Sequence, residues 1–174
     1  MSSHEVMALV TDALRGQLQS VLPHGATVIV GPPPQDGPAP PGLFVHPLRI
    51  AVSRALRNLP SPVRVEDNLA PPLALELDYL IAGLGGEALA ELALLGAALQ
   101  SINESPMWTH AGLSEGLSQP ERWASLASGS LTVRWSLLDL PLEQVSGVWV
   151  ACGVRQRAGV FVRAEVSWRA GRIL

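Results

Sequence analysis

Apolar and polar residues follow two different spacings along this chain, and the spacing divides it into helices and strands. Between residues 4 and 22 apolar side chains recur at every third or fourth position, which predicts an amphipathic helix. Helical spacing returns at residues 87–102 and 141–152. The expected apolar side of the first segment carries Leu89, Leu92, Leu95, Leu99 and Ile102, and that of the second carries Leu142, Val145, Val148, Trp149 and Cys152. Alternation of apolar and polar residues, or a short β-branched run, predicts strands at residues 26–30, 43–52, 73–82, 130–136 and 158–168. The predicted order of elements is therefore α-β-β-β-α-β-α-β.

Each predicted element has one apolar side, so the elements must pack against one another to remove those sides from water. A mixed, largely antiparallel sheet with helices packed mainly on one face meets this requirement, and we expect an α/β (α+β) fold of this kind. Of the 174 residues, 48% are apolar and only 16% are charged, which favours a sizeable ordered core. We expect a single domain that spans residues 1–174.

Prolines and glycines mark the breaks between these elements. The proline-rich stretch at residues 31–42 predicts an exposed loop, because proline suits neither a helix interior nor an inner strand. Pro47 lies within a predicted strand, where it predicts an edge position or a bulge. Residues 53–70 read as an irregular connection, and residues 105–129 as a long loop.

Two carboxylates stand one residue apart in the stretch "PPLALELDYLIAG", residues 71–83. Glu76 and Asp78 fall on the same side of the predicted strand, about 6 to 7 Å apart, a separation that two-carboxylate hydrolases use. No histidine, lysine or glycine-rich turn adjoins them. We therefore interpret them as the polar side of a two-sided strand, with a structural or interface role.

The basic residues are all arginines, and the net charge of −3 gives no reason to expect nucleic acid or an anionic membrane as a partner. From residue 65 to residue 119 the charged side chains are all acidic, whereas arginines cluster before and after that segment. Two explanations remain open. The opposite charges pair within the chain, or they form complementary edges of a subunit that associates with itself.

Tryptophan is abundant, with five residues among few other aromatics. Trp108 and Trp123 fall in the predicted long loop and are candidates for an interface, since aromatic side chains anchor such surfaces. The full set of candidate interface residues is Arg54, Arg57, Glu76, Asp78, Trp108, Trp123, Arg155 and Arg157.

Residues with the spacing of a reactive site are not found in the sequence. The four histidines have no metal-ligand spacing, and the single cysteine, Cys152, excludes an internal disulfide. The chain carries no nucleophile elbow, phosphate-binding loop or dinucleotide-binding motif. We expect no catalytic residue, cofactor or metal, and a cytoplasmic protein, because neither a leader nor an 18-residue apolar span is present.

Three segments taken together resemble one family: "PPLALELDYLIAG", "LLGAALQSINESP" and "LPLEQVSGVWVACGVRQRAGVFVRAEVSW". They are similar to the N-terminal domain of the tail-terminator, or cap, proteins of phage-tail-like contractile injection systems, such as the antifeeding prophage and the Photorhabdus virulence cassettes. The residues that match the family pattern are Pro72, Leu75, Leu77, Tyr79, Leu80, Leu95, Gly96, Pro106 and Trp149.

The resemblance implies a structural protein without an active site. Members form a hexameric ring on the end of the inner tube, stop its polymerisation and join it to the sheath. The implied partners are further copies of the chain and the tube and sheath proteins, within a contractile injection particle. A second hypothesis is an adaptor or chaperone-like module that binds a tail or baseplate component. A third, which the residues favour least, is a hydrolase that uses Glu76 and Asp78.

Overall fold

The computed structural model describes residues 5–34, 39–53, 73–113, 117–118, 120–123 and 130–169. Its strands are β1 (Thr27–Val30), β2 (Gly42–Val52), β3 (Leu73–Leu84), β4 (Met107–Thr109), β5 (Ser130–Leu138) and β6 (Gly159–Arg169). Its helices are α1 (Val6–Val21), α2 (Ala88–Glu104), α3 (His110–Leu113), α4 (Pro120–Trp123) and α5 (Leu142–Cys152).

The strands form one six-stranded sheet in the order β1-β2-β3-β6-β5-β4. β1 pairs with β2 in parallel, and every other neighbouring pair is antiparallel. The expected fold class, a mixed and largely antiparallel sheet with helices, is therefore confirmed. The predicted strands and the long helices differ from the observed bounds by two residues or fewer at each end.

The predicted long loop at residues 105–129 is wrong in part, because β4, α3 and α4 lie within it. β4 has only three residues, which is too few for alternation to be recognised in the sequence. It pairs with β5 through Met107, Trp108 and Thr109, and so adds an edge strand to the sheet.

The main core lies on the face of the sheet that α1 and α2 cover, which we call the main-core face. Every second residue of β3, from Leu75 to Ile81, contributes to it, as does every second residue of β6 from Val162 to Trp168. The opposite, second face carries a smaller cluster beneath α5. There Trp149 packs edge-on against Phe44, with 6.1 Å between the ring centroids. Helices thus cover both faces unequally.

The face that α2 buries differs from the one the sequence suggests. A stripe of Leu89, Leu92, Leu95, Leu99 and Ile102 is the expected apolar side, yet Leu89 and Leu92 are 73% and 51% exposed. The buried side of the helix instead carries Leu94, Leu95, Ala98, Ser101 and Ile102. Because α2 is apolar around most of its circumference, its sequence does not determine which side faces the core.

Gly83 allows α2 to approach the end of β3. A Cβ atom at this position would come within 2.6 Å of the Glu91 Cβ atom, well inside van der Waals contact. The β3–α2 connection then turns at Gly85, whose φ of +67° favours glycine. These two glycines place the helix tightly over the sheet.

Pro47 coincides with an irregularity in β2, as expected. The pairing of β2 with β3 shifts between Pro47 and Arg49, which is a β-bulge. β1 pairs with β2 only as far as Val45, so Pro47 lies beyond the end of its neighbour and no ladder bond to β1 is lost.

A side chain from α1 occupies the outer edge of β1. The Gln19 amide accepts a hydrogen bond from the Val28 N–H and donates one to the Ala26 carbonyl oxygen, both at 2.9 Å. The inner groups of β1 face β2, so Gln19 satisfies two of the groups that an edge strand would expose. It acts on this edge as a short piece of neighbouring strand.

Replacing Gln19 with leucine should therefore destabilise the fold. The variant keeps the helix propensity but leaves the Ala26 carbonyl and the Val28 N–H without this partner, which costs about 1 to 3 kcal/mol. Equilibrium unfolding in urea measures the change. The matched control is Gln100→Leu on the exposed side of α2, where the cost should stay below about 0.5 kcal/mol. Equal effects of the two substitutions would contradict the role of Gln19.

Candidate functional site

Glu76 and Asp78 lie on the second face of the sheet, beside the cluster that α5 covers. Arg163 of β6 binds Asp78 with two hydrogen bonds, Nε to Oδ1 at 2.6 Å and Nη2 to Oδ2 at 3.0 Å. Arg163 Nη1 also lies 3.6 Å from Glu76 Oε2, and Arg49 Nη1 lies 3.5 Å from Asp78 Oδ2. We call these four residues the second-face ion cluster.

Strand register brings the cluster together. Asp78 stands directly opposite Arg163 in the β3–β6 pairing and opposite Arg49 in the β2–β3 pairing. Glu76 stands opposite Glu165, and such a like-charged pair is unfavourable unless a cation is near. Arg163 supplies that cation. Its hydrogen bond to Asp78 outweighs the effect of burial and raises the pKa of the guanidinium.

The geometry answers the question that the sequence left open for these acids. Both oxygens of Asp78 accept hydrogen bonds within the chain, and its side chain is only 10% exposed. The expected polar side of β3 is therefore a partly buried ion cluster rather than a solvated surface. A role of Glu76 and Asp78 in a subunit interface stays a prediction.

A groove of about 420 Å³ runs between α1 and the main-core face, with a largely apolar lining that includes Met7, Ile50 and Leu77. The Tyr79 hydroxyl lies 2.9 Å from Thr11 Oγ1 in this groove. Burial, which exceeds the opposite effect of that hydrogen bond, raises the pKa of Tyr79 to about 12. Tyr79 is thus a neutral structural group.

Asp12 at the rim of the same groove joins α1 to the segment around α4. Its carboxylate accepts hydrogen bonds from the Ser118 N–H and hydroxyl, from Trp123 Nε1 and from Arg15 Nε. Burial opposes the charged form, but these hydrogen bonds together lower the pKa of Asp12. The carboxylate holds two parts of the fold together.

Trp108 and Trp123 do not offer an interaction surface, which corrects the expectation from the sequence. They are 7% and 5% exposed and belong to the main core. Trp108 lies 4.9 Å from Trp135, centroid to centroid. The side chains turn inward because β4 pairs with β5 and α4 follows, elements that the sequence pattern did not reveal.

The described residues contain no group of histidine, cysteine, aspartate and glutamate side chains able to hold a metal ion. Burial raises the pKa of the Cys152 thiol, which makes it a weak nucleophile. No helix in the described part of the chain is long and apolar enough to cross a membrane.

Comparison with protein families gives one match, over residues 9–169, to the Pvc16 N-terminal domain. The chain belongs to this family. No curated protein matches its sequence.

Two solved structures share the fold of this Pvc16 N-terminal domain. One is the PVC sheath/tube terminator of an extracellular contractile injection system in its extended state, with 14% identity and a TM-score of 0.67. The other is the anti-feeding prophage cap, a tube-terminating cap, with 13% identity and a TM-score of 0.65. The matches cover 97% and 94% of this chain but only 61% and 55% of those chains.

Six of the family-pattern residues pack in the interior of the structure. Leu75, Leu77, Tyr79 and Leu95 lie in the main core, and Leu80 and Trp149 in the second-face cluster. Gly96 and Pro106 are exposed. Among the interface candidates, Arg155 is exposed and Arg157 half-buried after α5. Pro72, Arg54 and Arg57 lie outside the described residues.

Arg163 and the exposed leucines are the features that the sequence did not single out. Arg163 shares a face with other polar residues of β6, but its partners become visible only through the register with β3. Leu89 and Leu92 on α2, and Leu142 and Val150 on α5, are exposed although the helical pattern placed the three leucines inside.

Replacing Arg163 should lower the stability of the fold. In Arg163→Met the Asp78 carboxylate keeps only the longer contact to Arg49, and we expect a loss of about 2 to 4 kcal/mol in the free energy of unfolding. Urea unfolding measures the loss, with Arg134→Met at an exposed position of β5 as the control. Adding Asp78→Leu to Arg163→Met should restore part of the stability. A double variant that is less stable than Arg163→Met would contradict this account.

Asp12 should make stability depend on pH. Because its folded-state pKa is lowered, the stabilisation is fully present above the ordinary value of 3.8 and is lost as the pH falls through the folded-state pKa. Asp12→Asn should therefore unfold more easily than the wild type at pH 7, and the difference should shrink below about pH 4. Urea unfolding at several pH values measures it. A difference that stays constant down to pH 2 would contradict a role for the charge.

Proposed function

We propose that this chain is a structural subunit of a contractile injection particle that forms a hexameric ring at the end of the inner tube. The ring stops tube polymerisation and links the tube to the sheath. In this proposal the chain acts as one domain, is produced in the cytoplasm and has no catalytic activity or cofactor.

The observation that carries the proposal is the shared fold. Almost the whole chain superimposes on two proteins that are described as a sheath/tube terminator and a tube-terminating cap. Family membership over residues 9–169 adds support that is independent of the coordinates. The rest of those two longer proteins has no counterpart in this match, so the partners are part of the proposal.

The second-face ion cluster supports a structural role over a hydrolytic one. A two-carboxylate hydrolase needs one acid that exchanges a proton and a cleft that admits substrate. Asp78 is instead held by Arg163 and Arg49 at the middle of three paired strands. This arrangement stabilises the sheet and leaves little access to solvent.

A closed ring needs two different surfaces that fit each other, because head-to-tail contacts repeat around the axis. The chain offers two exposed apolar surfaces on helices that cover opposite faces of the sheet. Leu89 and Leu92 lie on α2, and Leu142 and Val150 lie on α5. Exposed apolar side chains in such groups favour protein contacts, so we propose these helices as the ring contacts.

Deleting the gene should give particles whose inner tubes vary widely in length, because nothing then stops subunit addition. Electron microscopy of purified particles measures the tube-length distribution. Wild-type protein supplied from a second gene copy should restore a narrow distribution, whereas Leu89→Glu combined with Leu92→Glu should not. Gln100→Glu on the exposed side of the same helix is the control for added charge.

Normal tube lengths in the deletion strain would refute the terminator proposal. If the protein is instead an adaptor, microscopy will place it away from the tube end while tube lengths remain narrow.

A further inference from the structure

Glycines occupy the middle of the two helices that cover opposite faces of the sheet. Gly96 lies near the centre of α2, and Gly147 lies near the centre of α5. Both are exposed, and a Cβ atom added to either would meet nothing within 4 Å. Glycine in the middle of a helix is destabilising relative to alanine. The described part of the chain therefore holds no contact that would require glycine at either position.

Gly96 lies on an exposed side of α2 that is apolar in its first half. Leu89, Leu92 and Ala93 precede it by seven, four and three residues, spacings that place them on the same side of a helix. All three are exposed. After Gly96 this side becomes polar, with exposed Gln100 one turn further along the helix. The leucines thus lead up to the glycine from one end only.

Gly147 lies on a side of α5 that has the reverse arrangement. Glu143 and Gln144 come one turn before it and are exposed. Val150 and Ala151 come one turn after it and are exposed as well. This side of α5 is therefore polar in its first half and apolar in its second half.

We propose that α2 of one copy of this chain packs antiparallel against α5 of the next copy, and that the two helices cross at Gly96 and Gly147. The inference rests on the ring proposed above and names the contact between its neighbouring subunits. Glycines at a crossing point let the two helix backbones approach more closely than larger side chains allow. The stability that each glycine costs the free chain is then offset in the assembled ring.

An antiparallel crossing matches the two helix sides half by half. It brings Leu92 and Ala93 alongside Val150 and Ala151, so that apolar side chains of both copies leave water together. The polar halves stay at the rim of the contact, where water still reaches them. A parallel crossing would instead place Leu92 beside Glu143, which leaves neither half matched.

This match favours a second copy of the chain over another protein. The two helix sides complement each other, yet the helices cover opposite faces of one sheet, so these sides cannot meet within one molecule. Pairing α2 with another α2 matches the halves only in a parallel crossing, and it leaves the side of α5 without a partner. Contact between α2 and α5 of successive copies uses both sides, and contacts of this head-to-tail kind close into rings.

Cross-linking in assembled particles tests this contact. The deletion strain is supplied with the chain carrying Ala93→Cys and Ala151→Cys together, in a Cys152→Ser background. Purified particles are treated with a thiol cross-linker about 8 to 10 Å long, the distance between the axes of packed helices. A denaturing gel should show a ladder of linked copies. Either new cysteine alone should give single chains, because its neighbour offers no second thiol.

Ala93→Cys combined with Gln144→Cys is the matched control, because only a parallel crossing brings these two positions together. A ladder from this pair but not from positions 93 and 151 would overturn the antiparallel contact. Linked dimers from Ala93→Cys alone would identify a contact between two α2 helices. A linked product with a tube or sheath protein would identify a different chain as the occupant. Either of these products refutes the proposal.

Gly96→Ala tests whether the glycine serves close packing. The free variant should unfold at a higher urea concentration than the wild type, because alanine favours the helix and has open space here. Particles formed from equal supplies of variant and wild type should contain at least about fivefold less of the variant, since the added methyl group overfills the crossing. Gly112→Ala, at an exposed position with open space in α3, should be incorporated as well as the wild type. Equal incorporation of Gly96→Ala would overturn the proposal.

The results distinguish this contact from the terminator role. If the cysteine variant is present in particles with tubes of uniform length but gives no ladder, the contact between α2 and α5 is refuted and the terminator role stands. If the chain is absent from particles, or its deletion leaves tube lengths unchanged, the terminator role fails and the contact fails with it.

Discussion

The pairing of β3 with two long neighbours is the constraint on which the rest of the structure depends. β3 lies between β2 and β6, and both of its faces are largely buried. One face of β3 must be apolar because α1 and α2 cover it. On the opposite face, Leu80 and Ala82 at the end of the strand are buried in the cluster beneath α5. Between these apolar regions Asp78 remains as a buried charge, which is tolerable only because the register delivers Arg163 and Arg49 to it. Fold and electrostatics are thus set by one alignment of strands.

Most of the fold follows from local patterns in the sequence. Alternation or a short β-branched run located the five longer strands, and the bulge at Pro47 followed from the missing N–H of proline. β4 was not predicted, because alternation cannot be recognised over only three residues. The buried side of α2 was predicted wrongly for a different reason. Most of its positions are apolar, so several rotations of the helix would bury similar areas. Contacts with β3, and the space that Gly83 leaves for Glu91, then select one rotation.

The sequence predicts where the two acids of the candidate site lie, but not which residues bind them. Alternation alone put Glu76 and Asp78 on the same side of β3, whereas the residue that binds them lies 85 positions from Asp78 and depends on a long-range register. The prediction that Trp108 and Trp123 are exposed was wrong, because no local periodicity around them indicates that they are buried. The exposed leucines of α2 became visible only when the buried side of that helix was known. Contacts between residues far apart in the chain are therefore the part of the structure that the sequence pattern does not predict.

The amide of Gln19 has a consequence for how this protein behaves when many copies are crowded together. A sheet with two bare borders can extend indefinitely from molecule to molecule, which is the route to fibrous aggregates. Here a helix side chain covers part of one border, because Gln19 binds the Ala26 carbonyl oxygen and the Val28 N–H. Strand pairing through β1 would have to break both of these hydrogen bonds, which disfavours a continuous sheet that runs from one copy to the next through this border.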